Sequence, residues 1–191
     1  MSKYYTEPSQ LQKASFGRAV AGAIDTRDCK SLKQLLSSGL SPNPSNQFGD
    51  SILNTVCRRG HEDLFHVMIN CGASVLTSDQ FGRTPLHFVC WSSNVSFSMV
   101  EKILSFDLNM LRATDKVGKT PLDYISVDRW DVWNQFLKDK QELFWPRDEI
   151  KRREHIASSI HNVAKSPSLP DPKNALSLEE AKMVSSGSLT L

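Results

Sequence analysis

Phe81-Gly82-Arg83-Thr84-Pro85-Leu86-His87 has two further versions in this chain, which read Phe48-Gly49-Asp50-Ser51-Ile52-Leu53 and Val117-Gly118-Lys119-Thr120-Pro121-Leu122-Asp123. The glycines of the three versions are 33 and 36 residues apart. A period of this length is typical of proteins built from stacked repeats rather than around one closed core. This repeated stretch therefore decides the fold.

Each version of the stretch predicts a turn followed by a short helix. Gly82 lies where a hairpin must turn, and glycine tolerates a positive φ without steric cost. Thr84-Pro85 is typical of a helix start, because the hydroxyl accepts from free N–H groups and proline suits the first helical position. Apolar residues at helical spacing then predict two helices, with Leu86, Val89 and Cys90 in the first and Met99, Val100, Ile103 and Leu104 in the second. Neighbouring repeats must stack to bury these faces.

The segment after Gly49 carries further matching positions. Gly60-His61 and Gly72-Ala73 follow it, and Leu35-Leu36-Ser37-Ser38-Gly39 forms a weaker copy whose glycine precedes Gly72 by 33 residues. These residues resemble the ankyrin-repeat family, whose pattern has a Thr-Pro-Leu-His first helix, a Gly-His turn and a Gly-Ala exit. The resemblance implies an all-α solenoid of about four helix-turn-helix repeats joined by short β-hairpin loops.

The copies depart from this pattern at three places. Ser51-Ile52 replaces Thr-Pro in repeat two, and Asp123 replaces the histidine in repeat four. In repeat three the Gly-His turn is replaced by a segment about three residues longer between Trp91 and Phe97, so we expect this loop to bulge. Terminal repeats of a solenoid are commonly atypical because they cap the stack.

The predicted organisation follows from the repeats and from changes in composition. Residues 1–15 form a partly disordered N-terminal lead-in, and the solenoid covers 16–145, with repeats at about 16–48, 49–81, 82–117 and 118–145. An amphipathic C-terminal helix at 146–164 is predicted to cap repeat four, with a free partner-binding helix as the alternative. The proline-rich, polar segment 165–191 is predicted to be a disordered tail, although Ser177-Leu178-Glu179-Glu180 within it has capping-box spacing.

Composition and charge exclude several classes of protein. The net charge of +2 is too small to indicate a nucleic-acid or membrane surface, and no apolar run approaches the roughly 20 residues that span a bilayer. Residues 1–8 lack the apolar core of a signal peptide. The four cysteines form no Cys-x-x-Cys pair, which favours reduced thiols. We therefore expect a cytoplasmic or nuclear protein without metal or cofactor.

A catalytic site is not indicated by any motif in the chain. His87 and Cys90 lie three residues apart on one predicted helix, which allows a thiol–imidazole reading. However, His87 occupies the histidine position of the repeat, where the resemblance implies a structural hydrogen bond, and no third orienting group can be named. The sequence therefore predicts no enzyme and no catalytic residues.

In ankyrin-like proteins the partner usually lies on the concave face, which is formed by hairpin tips and first helices. Aromatic residues and arginines at these positions are typical of interface hot spots. The predicted protein-binding residues are Phe48, Asp50, Arg58, Arg59, Phe81, Arg83, Trp91, Val117 and Lys119. For Phe48 and Phe81, packing against the adjacent hairpin remains the alternative.

The expected function is that of a monomeric, non-enzymatic adaptor that holds a partner protein on the concave face. The alternative is a regulatory or inhibitory subunit that occludes the active site of an enzyme. The identity of the partner does not follow from the fold, because one fold serves many binders.

Overall fold

The computed structural model of the protein describes residues 3–145 and 171–189. Regular structure in these residues is helical, and extended pairing is limited to the isolated bridges Tyr5–Ser78 and Ser45–Ser51. The predicted all-α fold class is confirmed. The helices are α1 (Gln10–Ser15), α2 (Arg18–Asp25), α3 (Cys29–Ser37), α4 (Ile52–Arg59), α5 (Glu62–Asn70), α6 (Pro85–Trp91), α7 (Phe97–Leu104), α8 (Trp130–Asp139), α9 (Gln141–Phe144) and α10 (Leu178–Ser186), with 3-10 helices at Leu108–Arg112, Pro121–Tyr124 and Val127–Arg129.

The helices form four successive pairs. Repeats one, two and three are the pairs α2 and α3, α4 and α5, and α6 and α7, whereas repeat four combines the 3-10 helix Pro121–Tyr124 with α8. First helices lie side by side, since α4 packs against α6 and α6 packs against Pro121–Tyr124. The buried apolar side chains of all four pairs belong to one continuous core.

The loop inside repeat three is longer than that of repeat two, as predicted. Five residues separate α6 from α7, whereas two separate α4 from α5. The long loop rests on the preceding turn, where the Asn94 side chain donates to the carbonyl oxygen of Gly60 at 3.2 Å. Gly60 has a φ of +67°, and a Cβ there would overlap the carbonyl oxygen of Asn94. Glycine is therefore required at position 60 by both its backbone and its neighbour.

An aromatic cluster holds the second helix of repeat four against repeat three. The ring of Phe97 stacks on Phe136 with centroids 4.2 Å apart and meets the edge of Trp133 at 5.1 Å. Trp133 is completely buried. Burial of large aromatic surfaces supplies much of the free energy of a core, so this cluster anchors α8 although the first helix of repeat four is a single 3-10 turn.

Residues 3–15 of the N-terminal lead-in are structured, so the prediction of partial disorder in 1–15 is wrong for these residues. Ser9 and Gln12 form a capping box at the start of α1, and Tyr4 and Leu11 are buried. The Tyr4 hydroxyl donates to Asp107 Oδ2 at 2.7 Å, and the Tyr4 carbonyl accepts from the Ser78 N–H. The lead-in therefore ties repeats two and three together through contacts that no local pattern reveals.

The prediction of a disordered tail is also wrong for the segment around α10. This helix begins with the Ser177–Glu180 capping box and packs against α1 and α2, where it buries Ala181 and Val184. The sequence of α10 shows little hydrophobic periodicity, because its residues are small and its buried face is narrow. The helices against which it packs lie at the other end of the chain. The predicted helix 146–164 lies outside the described residues.

Candidate functional site

The surface predicted as the concave face is built by the hairpin tips around residues 48, 81 and 117 together with α4, α6 and the 3-10 helix Pro121–Tyr124. We call this surface the first-helix face. Adjacent hairpin tips are joined by backbone hydrogen bonds, in which Gln80 donates to the carbonyl of Phe48 at 3.1 Å and Lys116 donates to that of Phe81 at 2.8 Å. The tips are therefore held at fixed spacing.

Each hairpin is fastened by one polar side chain that the sequence reasoning did not identify. The side-chain Oδ1 atom accepts from the backbone N–H groups two and four residues later, at 2.9 to 3.0 Å. The three fastening residues are Asn46, Asp79 and Asp115. They recur with the same 33- and 36-residue spacing as the glycines. This spacing is the sequence signal from which they could have been identified.

The apolar residues at the hairpin tips are exposed. Phe48 and Phe81 expose 47% and 49% of their surface, and Val117 exposes 77%. The backbone carbonyls of Phe48 and Phe81 accept the hydrogen bonds between hairpins, while the side chains of all three residues stay accessible. About half of the surface of each phenylalanine is therefore covered and half is accessible.

Two of the predicted charged residues at the tips already have partners within the chain. Asp50 accepts from the Asn46 amide at 3.0 Å. Arg83 pairs with the buried carboxylate of Asp79 at 2.6 Å, and its guanidinium lies 5.0 Å from the ring of Phe81. These contacts stiffen the hairpins, and they leave Arg83 with less capacity to pair with an outside anion.

Arg58, Trp91 and Tyr124 form a row across three successive first helices. The Arg58 guanidinium lies over the Trp91 ring, with Cζ 4.4 Å from the centroid, and Trp91 is 5.6 Å from the Tyr124 ring. Trp91 remains 39% exposed. Such a cation–π pair stacked on further aromatic surface is typical of an interface hot spot.

Arg59 and Lys119 differ from Arg58 in their surroundings. Arg59, the next residue in the chain, pairs with Asp25 of repeat one at 2.7 Å. Lys119 is exposed at the hairpin tip of repeat four, with Nζ 6.0 Å from the Tyr124 ring centroid. The row also includes the partly exposed Tyr124, which the sequence reasoning missed, and the buried ring of Phe88 lies 6.3 Å from Trp91.

Tyr124 is fixed in the row by a hydrogen bond below it. Its hydroxyl donates to Asp115 Oδ2 at 2.6 Å, so one carboxylate fastens the hairpin and orients the ring. Burial and this carboxylate raise the pKa of Tyr124 to about 12. The tyrosine therefore stays protonated as a donor over the whole physiological pH range.

His87 has a structural role at the base of the row. Its Nδ1 atom accepts from the Thr84 backbone N–H at 3.0 Å, so the ring proton lies on Nε2, which donates to the Lys119 carbonyl at 3.3 Å. Burial lowers the pKa of His87 and raises the pKa of the Cys90 thiol. A neutral, fully bonded imidazole and a protonated thiol do not form an activated nucleophile.

Repeat two has Asn54 at the position equivalent to His87. Among the described residues, neither its amide oxygen nor its nitrogen has a hydrogen-bond partner, although the side chain is buried. The shorter amide does not span to the next hairpin as the imidazole does. Repeat two therefore carries an unpaired polar group where repeat three has a bridge between repeats.

We expect the free energy of unfolding to decrease as pH falls below the ordinary histidine pKa of about 6.5. His87 has a lowered pKa in the folded state, so the unfolded chain binds the proton first and stability is full only above that pH. For one such histidine, the free energy of unfolding changes with pH by at most about 1.4 kcal/mol per pH unit. Urea unfolding at pH 8 and pH 5.5 measures the loss.

The pH effect has a control in the chain. Burial, with help from Arg27 and Arg59, also lowers the pKa of His61, which contributes with the same sign. In His87→Gln, the free energy of unfolding should therefore decrease less between pH 8 and pH 5.5. Adding His61→Gln should make this decrease smaller again. An unchanged slope in His87→Gln contradicts the assignment.

The described residues also bear on metal binding and on membrane insertion. No cluster of three or more His, Cys, Asp or Glu side chains in residues 3–145 and 171–189 is placed to hold a metal ion. None of the described helices combines the length and apolarity required to cross a bilayer. All four cysteines are unpaired.

Comparisons with known proteins agree with this architecture. A family model for ankyrin repeats matches residues 20–111 in three copies. An ankyrin repeat-containing protein of Schizosaccharomyces pombe is 31% identical over 67 residues, which are 35% of this chain and 32% of that protein. The potassium channel SKOR of Arabidopsis thaliana is 25% identical over 175 residues, 88% of this chain and 20% of the channel.

The chain thus spans 32% and 20% of the lengths of these two curated relatives. The matched segment 20–111 begins inside α2 and extends through α7, and the pair formed by Pro121–Tyr124 and α8 follows it. Repeats of this kind are generally protein–protein interaction modules. The glycine period, the stacked helix pairs and this match therefore show that residues 20–111 of the chain are ankyrin repeats.

Proposed function

We propose that this protein is a non-enzymatic adaptor that binds a partner protein on its first-helix face. The observation that carries the proposal is the exposure of Trp91 between Arg58 and Tyr124. A large aromatic side chain left accessible beside an arginine matches the composition of energetic centres in interfaces. The exposed rings of Phe48 and Phe81 extend this surface along the hairpin tips.

The proposal includes a monomeric protein in the cytoplasm or nucleus. The unpaired cysteines support this compartment, because thiols persist where the surroundings are reducing. The continuous core supports a stack that folds without a second copy. Sedimentation of the purified chain and imaging of a tagged copy test these two parts.

Affinity capture from the source cell tests the binding face. We expect a Phe81→Ala, Trp91→Ala double variant to lose partners that the unchanged protein retains, with affinity for a purified partner weakened about 10-fold or more. Val132→Ala, Leu143→Ala is a matched control, because these side chains are also exposed and apolar but lie on α8 and α9. Circular dichroism establishes that both variants fold.

The same capture separates an adaptor from an inhibitory subunit. If a captured enzyme keeps its activity when saturated with the chain, the adaptor stands. If the enzyme loses activity, the chain is an inhibitory subunit. Partners retained by the Phe81→Ala, Trp91→Ala variant contradict the proposed face.

A further inference from the structure

Arg58 is a partly buried cation with unused hydrogen-bonding capacity. Its guanidinium covers the Trp91 ring at 4.4 Å, and within residues 3–145 and 171–189 none of its N–H groups meets an acceptor. Guanidinium groups bind carboxylates through paired N–H donors. An arginine held in place by an aromatic ring, with its donors free, has the form of a receptor for an anion.

A second guanidinium lies close to the first. Arg129 donates to the Ser92 carbonyl, directly after Trp91, and to the Ser126 hydroxyl at 2.7 Å. Burial and the positive charge of Arg129 both lower the pKa of Arg58. Asp128 approaches Arg129 only to 4.0 Å and is exposed. Among the described residues, a carboxylate therefore pairs with Arg129 but none pairs with Arg58.

Three other arginines in the fold are paired with carboxylates. Arg27 pairs with Asp63 at 2.9 Å, Arg59 with Asp25 at 2.7 Å, and Arg83 with Asp79 at 2.6 Å. Each of these guanidiniums has a carboxylate supplied by the chain itself. Arg58 lies next to Arg59 in sequence and has none among the described residues.

We propose that an acidic segment of the partner protein supplies this carboxylate, with an Asp or Glu side chain paired to Arg58 and an adjacent apolar side chain packed on Trp91. The inference rests on the proposed function and adds the chemistry of the partner. A carboxylate fits the charge of Arg58 and Arg129, and the partly exposed Tyr124 ring offers an apolar surface beside Trp91. The negative charge of the carboxylate also offsets the repulsion between the two guanidinium groups.

Selection from a random peptide display library on the full chain tests the inference. We expect the selected peptides to be enriched in Asp and Glu beside an apolar residue. The best peptide is then synthesised with a fluorophore, and its affinity is measured by anisotropy. Arg58→Gln should weaken binding about 10- to 100-fold, whereas the matched control Arg59→Gln should change it less than about 2-fold.

A double-mutant cycle separates a direct ion pair from a folding defect. Replacing the acidic residue of the peptide by its amide should weaken binding to the unchanged protein and have little further effect on Arg58→Gln. Arg58→Lys keeps the charge and gives an intermediate affinity if the planar fork is needed. Additive losses in the cycle contradict the pairing.

The outcomes for the two proposals are distinguishable. Selected peptides without acidic residues, which still require Trp91, would overturn the acidic partner and leave the binding face in place. Peptides that bind Trp91→Ala and Arg58→Gln as tightly as the unchanged protein would overturn both. A library that yields no peptide against the unchanged chain would also contradict this inference.

Discussion

Replacing Trp133 with alanine is expected to lower the free energy of unfolding by about 3 to 5 kcal/mol. Trp133 is completely buried between α7 and α8, where it meets Phe97 at 5.1 Å and Phe136 at 6.1 Å. Its indole N–H has no hydrogen-bond partner in the described part of the chain, so the loss reflects packing and the cavity that remains. Urea unfolding followed by far-ultraviolet circular dichroism measures it.

Trp91→Ala is the matched control for this prediction. The same atoms are removed from an exposed position, and the lost contacts with Arg58 and Tyr124 account for about 1 kcal/mol. The two variants therefore separate a tryptophan of the core from a tryptophan of the binding face. Equal losses would contradict this distinction.

Gly17→Ala is expected to displace α10 from the amino-terminal end of the stack. A Cβ at position 17 would overlap the backbone carbonyl of Ser185, a contact that no side-chain rotation relieves. Gly17 has a negative φ of −133°. The loss of stability therefore reflects the lack of room for a side chain rather than backbone strain. Overpacking of this kind costs about 1 to 3 kcal/mol.

Gly22→Ala supplies the comparison on the same helix. A Cβ there has no neighbouring atom within 4 Å, and alanine in a helix interior is favoured over glycine by about 1 kcal/mol. The two substitutions should therefore have opposite effects on stability. Hydrogen exchange in residues 178–186 should become faster in Gly17→Ala alone, and unchanged exchange there would show that α10 does not depend on this contact.

The repeat architecture could be predicted from the sequence because each repeat carries its own local signals. The period of Gly49, Gly82 and Gly118, the Thr-Pro helix starts and the helical spacing of apolar residues act within about one repeat. The longer loop after Trp91 could be predicted in the same way, from a count of residues between two periodic segments.

The packing of both chain ends could not be predicted in this way. Tyr4 meets Asp107 across 103 positions, and Ser185 donates to the Ala14 carbonyl across 171 positions. Such contacts leave no periodic signal in either segment. The composition of the C-terminal segment favoured disorder, although α10 needs only two buried aliphatic side chains and a capping box to dock.

The candidate site was predictable as a set of positions but not as a set of contacts. Arg58 and Arg59 were predicted together, yet one residue turns a helix by about 100°, and only Arg59 reaches Asp25. Tyr124 was missed because its role depends on packing against Trp91 of the preceding repeat. The pairing of each charge within the fold decides which residues remain available to a partner.

Hydrogen exchange of the chain with and without a purified partner tests the central claim most directly. We predict slower exchange on binding at the hairpin tips and in α4, α6 and Pro121–Tyr124, with α5 and α7 unchanged. Slower exchange confined to α5, α7 or α10, with none on the first-helix face, would contradict the account.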